Sequence, residues 1–288
     1  MQACGEQRDP MNRVPGFPTS ADETCGHLDV PPGTPEVYTS LGSFSEWFQG
    51  RGGPSLMYHK LGSAPSGVRL KGLYVGVRLF RRQLTELTAG GYRTADTGDF
   101  LTPAASGERR VVLTFDDGFE NVLRLGLDPL REHGFQAIQF LVPGLLGRTN
   151  EWEQREGEAS ERLMDDAQVR EWMSEGHSIG AHTVSHPHLT RMPIQEAREE
   201  IRASRAMLED RFGVRIRHFC YPFGDWNAAV RDAVAEAGFE TACTTEPGLN
   251  RPGGNPWCLR RLTARHATRK LRNIGTLIRV WCSAIRHP

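Results

Sequence analysis

The sequence lacks any Cys-x-x-Cys pair: among its 288 residues the six cysteines, Cys4, Cys25, Cys220, Cys243, Cys258 and Cys282, are widely spaced. Neither a zinc knuckle nor a dense disulfide scaffold fits that spacing, and buried reduced thiols are the expectation. Excess charge of either sign is also missing. Thirty-five basic and 35 acidic residues cancel, so the chain as a whole carries no nucleic-acid signature. Met1-Gln2-Ala3-Cys4-Gly5-Glu6 has neither a basic start nor an apolar stretch, so no secretory signal is read and a cytoplasmic location is expected. The most apolar run near the C-terminus, Asn273 to Ile285, is too short to span a bilayer and contains Arg279.

Residues 1–53 lack a sustained hydrophobic period, are rich in Pro, Gly, Ser and Thr, and carry seven acids against three bases. They read as an irregular or disordered N-terminal extension. Residues 263–288 carry six bases and no acid. There Leu271, Ile274, Leu277, Ile278, Trp281 and Ile285 form one stripe of a basic amphipathic helix, which either packs on the domain or meets an anionic membrane through 269–286.

Between these tails, residues 54–262 alternate strand and helix patterns. Ser55–Tyr58, Val111–Phe115, Ala137–Val142, Ser178–Ala181, Ile216–Tyr221 and Phe239–Thr244 are apolar runs of strand length. Glycines or helical patterns separate them. Ile194, Ala197, Ile201, Leu208 and Phe212 line one face of the longest helix, and Arg148–Arg162 reads as a charged surface excursion. Alternation of this kind predicts parallel βαβ units with functional groups at the carboxyl ends of the strands. His59, Asp116, Asp117, His182 and Tyr221 all fall at or just past such ends.

The chemistry concentrates in Thr114-Phe115-Asp116-Asp117-Gly118. A turn at Gly118 lets two adjacent carboxylates reach one cleft, where they repel unless a cation neutralises one of them. His182-Thr183-Val184-Ser185-His186 supplies two imidazoles four apart. One carboxylate and two imidazoles make a three-ligand set that leaves a position open, as catalytic rather than structural zinc sites do. A zincin would need Glu immediately after the first His; Thr183 stands there, so Asp116 is the candidate base. Capping of the next helix is the competing explanation for an isolated Asp-Asp-Gly, and the His pair argues against it.

With Tyr221-Pro222-Phe223-Gly224, these two motifs resemble the polysaccharide deacetylase family, the carbohydrate esterase group that includes chitin, peptidoglycan and rhizobial chitooligosaccharide deacetylases. The resemblance covers residues 54–262. It implies an α/β fold, a distorted (β/α) barrel of the NodB-like type. It further implies one divalent metal, Zn²⁺ first and Co²⁺ or Ni²⁺ as alternatives, held by Asp117, His182 and His186. Asp116 would be the general base in hydrolysis of N-acetyl groups on a carbohydrate. Leu56-Met57-Tyr58-His59 looks like the branch typified by poly-N-acetylglucosamine deacetylases, in which the motif order is circularly permuted and a first-strand histidine is the acid. His59 takes that role, with His266 as its rival, and the backbone N–H of Tyr221 is expected at the oxyanion. Two departures stand out. Cys220 occupies the place of an arginine that orients the base, and no Asp-x-x-x-Trp motif follows residue 224. O-acetyl ester hydrolysis and a catalytically inactive carbohydrate-binding protein are the other readings.

Overall fold

The computed structural model describes residues 37–43, 53–155 and 157–266. The expected helix within 263–288, with its membrane-facing stretch 269–286, lies outside the described residues from 267 onward.

The strands run in chain order as β1 (Val37–Tyr38), β2 (Ser55–Tyr58), β3 (Lys60–Leu61), β4 (Tyr74–Val75), β5 (Tyr92–Thr94) and β6 (Arg109–Phe115), then β7 (Ile138–Leu141), β8 (Ser178–Ala181), β9 (His218–Cys220), β10 (Thr241–Cys243) and β11 (Leu262–Ala264). One parallel path connects them in the order β1-β11-β2-β6-β7-β8-β9-β10, with β5 on the start of β6 and β3 paired separately with β4. The path curls back on itself. Leu259, just ahead of β11, donates to Ala242 O and accepts from Thr244 N, each at 2.8 Å, so the last strand reaches the segment that leads into β11. This is the expected parallel α/β barrel in distorted form. Val37–Tyr38, inside the stretch read as an irregular extension, pairs with Thr263–Ala264 and so belongs to the sheet.

Helices α1 (Val77–Ala89), α2 (Glu120–His133), α3 (Glu151–Gln154), α4 (Asp166–Ser174), α5 (Ile194–Phe212) and α6 (Ala228–Glu236) connect or flank the strands. On α5 the buried residues Ala197, Ile201, Ser204, Leu208 and Phe212 recur every three or four positions and set the face turned to the sheet. Pro129 sits inside α2, where it costs one ladder bond, and α2 ends on left-handed Gly134.

Strand alternation decides what β6 presents. Phe115 packs among Tyr58, Phe80 and Trp172, with centroids 5.2 to 6.0 Å away. Thr114 and Asp116 on either side face the barrel interior, where both meet Arg261. At the opposite end of the strands His218 accepts or donates between Thr97 and Thr241 at 2.8 and 2.9 Å and pairs with Asp96 at 2.8 Å. Thr97 is completely buried there, so this hydroxyl–imidazole–carboxylate chain ties three segments together and is closed to substrate.

Cys220 and Cys243 are buried free thiols, as expected. Cys258 departs from that expectation, being disulfide-bonded.

Candidate metal-binding active site

Asp116 still belongs to the sheet, its N–H donating to Tyr58 O at 3.0 Å. The next two residues are left-handed, Asp117 at φ 77° and Gly118 at φ 86°. Two such residues in succession swing the Asp117 side chain into the cleft that Asp116 already faces. The left-handed conformation favours glycine at 118, and a Cβ there would press on Leu141 Cδ2 at 3.0 Å. Asp117 bears a cost of about 1–3 kcal/mol for its backbone, of the kind found where function dictates the geometry.

The histidine loop leaves β8 in a similar state, with Thr183 and His186 both at φ 62°. A carboxylate from α5 holds it. Glu200 accepts from the N–H groups of Val184 and Ser185 at 2.7 and 3.0 Å and from Ser185 Oγ at 2.7 Å. Thr183 Oγ1 accepts the His186 N–H at 3.0 Å.

The two loops deliver Asp117 Oδ1 to within 3.3 Å of His182 Nε2 and 3.3 Å of His186 Nε2. All three side chains are buried. His182 Nδ1–H donates to the Cys220 carbonyl at 2.7 Å, which fixes the ring and leaves Nε2 as the nitrogen that faces Asp117. Ligand atoms about 2.1 Å from one ion at tetrahedral angles lie about 3.4 Å apart, so this trio fits a divalent cation of zinc's size. Burial would raise the Asp117 carboxyl, but hydrogen bonds from His182 and His186 outweigh it and hold it well below the usual carboxylate range. Burial pulls His182 down, yet Cys220 and the Asp117 carboxylate outweigh it and keep a proton there well above the ordinary imidazole range. His186 goes the other way, lowered by burial to about 4. Without a cation, one proton on His182 does the neutralising.

Asp116 has a different partner. Arg261, itself completely buried, donates Nη1 to Oδ1 at 2.7 Å and Nη2 to Oδ2 at 2.8 Å. Its remaining donors reach Thr244 O, Thr114 Oγ1 and Cys220 Sγ at 2.8, 3.0 and 3.1 Å. Burial pushes the Asp116 carboxyl up and the Arg261 guanidinium more than reverses it, so the group stays ionised. The guanidinium expected at 220 therefore arrives from the residue just before β11. Sequence reading missed it, because Arg261 lies at the far edge of the domain, 145 residues from Asp116.

His59 Nε2 lies 3.8 Å from Asp116 Oδ2. His266 is elsewhere, accepting the Gly76 N–H at 3.2 Å, so of the two rivals only His59 stands at the carboxylate pair. Tyr221 needs correction. Its N–H donates to Cys243 O at 3.1 Å and its hydroxyl to Trp257 O at 2.9 Å, so neither is available to a substrate oxygen. Pro222 has no N–H; the next amide is that of Phe223, at φ 59°, which has no acceptor among the described residues. The excursion 148–162 is also corrected: Glu153 and Glu158 are buried, and Trp152 stacks on His186 with centroids 4.2 Å apart.

Two carboxylates and two imidazoles thus converge at the strand ends of a parallel barrel, where Asp117, His182 and His186 could hold a metal ion. The polysaccharide deacetylase family model matches residues 104–242 of the chain. The chain is 26% identical over 205 residues to YxkH of Bacillus subtilis, covering 68% of this chain and 65% of that one. It is 26% identical over 153 residues to the peptidoglycan-N-acetylglucosamine deacetylase PgdA of Listeria monocytogenes, covering 53% of this chain and 29% of that one. The chain thus spans less than two thirds of these relatives. Its fold matches that of IcaB from Ammonifex degensii with a TM-score of 0.64 at 23% identity, over 80% of this chain and 96% of that one.

Proposed function

We propose that the protein hydrolyses N-acetyl groups from aminosugars in a polysaccharide, an oligosaccharide or a lipid-linked sugar, using one divalent cation. The observation that carries this reading is the division of labour between adjacent carboxylates, Asp116 clamped by Arg261 and Asp117 shared by His182 and His186.

Asp117, His182 and His186 would hold the cation, Zn²⁺ first and Co²⁺ or Ni²⁺ as alternatives, which when bound supplies Lewis acidity at the substrate carbonyl. Asp116, kept anionic by Arg261, accepts the proton of the attacking water. His59, beside it, returns a proton to the departing amine. Each of these transfers is worth about 10²- to 10⁴-fold. The Phe223 N–H donates to the oxygen on which negative charge develops.

O-acetyl esters would suit the same groups, with less demand on His59 because an alkoxide can depart without prior protonation whereas the amide nitrogen must be protonated to leave as an amine. The inactive-binder reading loses its support, since it rested on the missing arginine at 220 and Arg261 occupies that role. Acetate release from N-acetylglucosamine oligomers and lipid-linked aminosugars, after chelation and after return of Zn²⁺, tests the proposal. Turnover that survives complete chelation, or turnover of esters alone, would overturn it.

A further inference from the structure

The two imidazoles facing Asp117 are held in different ways. His182 has its far nitrogen bonded to the Cys220 carbonyl, whereas His186 Nδ1 is buried without a hydrogen-bond partner among the described residues. Ligating histidines ordinarily spend that nitrogen on an acceptor that fixes the ring. For His186 aromatic rings enclose the imidazole instead. The Trp152 indole lies nearly flat on it, centroids 4.2 Å apart at 20°, and Phe223 meets it edge-on at 4.6 Å and 72°.

Trp152 is itself pinned. Glu153, next in α3, pairs with Lys60 at 2.5 Å and accepts from Asn150 Nδ2 at 2.6 Å, both ions buried. The Lys60 ammonium also sits 4.4 Å from the centre of the Phe119 ring. Lys60 follows His59 directly, so one buried ion pair ties the indole-bearing helix to the segment just past β2. Removing one member of such a pair strands the other charge, which makes the attachment firm.

We infer that Trp152 is the positioning residue of His186, its flat face doing for that ring what the Cys220 carbonyl does for His182. This rests on the reading that Asp117, His182 and His186 hold a divalent cation. Without the indole the imidazole is free to turn about its Cβ–Cγ bond, and a ligand is presented only part of the time.

The test is the Zn²⁺ dissociation constant of the full chain, by competition with a chromogenic chelator, for wild type, Trp152→Phe, Trp152→Leu and Trp152→Ala. The melting temperature of each metal-free variant and the KM for a chito-oligosaccharide accompany it. Expected is a 10- to 100-fold weaker Zn²⁺ affinity for Ala and Leu, near-wild-type affinity for Phe, and little change in metal-free melting. Leucine keeps the apolar bulk, so affinity restored by leucine would overturn stacking as the cause. Unchanged affinity in Ala with a raised KM would overturn the inference and make Trp152 a sugar contact only. Failure of wild type to bind Zn²⁺ or Co²⁺ is a separate result, which removes the metal reading itself.

Discussion

The guanidinium of Arg261 closes on both oxygens of Asp116 from 145 residues further along the chain, at 2.7 and 2.8 Å. The pair is completely enclosed. Substitution of Arg261 by Met leaves a buried carboxylate without a counter-charge, which costs about 3–5 kcal/mol when one partner of a buried pair is removed. The pH dependence has a definite sign. Arg261 lowers the Asp116 pKa against the upward push of burial, so its loss raises that pKa and shifts the acid limb of the kcat/KM profile to higher pH. Arg261→Lys keeps the charge but loses the two-pronged contact, and a smaller shift in the same direction is expected. An acid limb that stays in place in both variants would show that Arg261 does not tune the base.

Asp116 and Asp117 should fail in different ways. Asp116→Asn is expected to lower kcat by about 10²- to 10⁴-fold while Zn²⁺ affinity is largely kept. Asp117→Asn, which removes the negative charge facing both imidazoles, should lose Zn²⁺ affinity first. Equilibrium dialysis beside acetate release separates the two, and equal metal loss in both variants would contradict the division of roles.

Metal uptake should release protons. His182 holds its proton well above the ordinary imidazole range in the metal-free chain, and a ligating imidazole must surrender it. Affinity is therefore expected to rise with pH through neutrality. Titration calorimetry in buffers of different ionisation enthalpy should give a net release close to one proton per ion, and zero release would speak against His182 as ligand.

His177 makes a prediction away from the site. Its Nδ1 accepts the Ala137 N–H at 3.3 Å and its ring lies against Trp172, so it is built to be neutral. Burial lowers its pKa to about 4. Between about 4 and 6.5 the unfolded chain binds a proton that the folded chain refuses, so stability rises with pH across that window and is lost as the pH falls through it, by on the order of 1–3 kcal/mol. Denaturant unfolding of wild type and His177→Asn from pH 4 to 7 measures the difference; parallel curves would exclude His177 as the source.

The parts of the site that the sequence displays are those carried by short motifs at strand ends. Asp116, Asp117, His182 and His186 are local features, and the alternation of strands and helices predicts the layer they sit on. Arg261, Glu200 and Trp152 act through tertiary placement. Arg261 is buried because the segment around Leu259 extends alongside β10, and only the need for one more strand to close the barrel points to it. Glu200 lies on the polar side of a helix whose apolar stripe is plain, and nothing in helical periodicity separates a carboxylate that caps a loop from one in water. Trp152 stands in a charged run whose composition indicates solvent, and the burial of Glu153 against Lys60 depends on a partner 93 residues away. The parallel ladder to Cys243 consumes the Tyr221 amide, a pairing that no single strand reveals, so the proposed oxyanion donor is the Phe223 amide instead.

The histidine loop keeps Thr183 and His186 in left-handed conformations while Glu200 takes up its amides. Threonine, branched at Cβ, is among the residues least suited to that region. The loop thus carries backbone strain, which the Glu200 carboxylate and the Thr183 hydroxyl offset with their hydrogen bonds. A neutral change at Glu200, which touches none of Asp117, His182 and His186, would let those three side chains drift apart in an otherwise intact barrel, so loss of the proposed activity need not begin among the groups assigned to its chemistry.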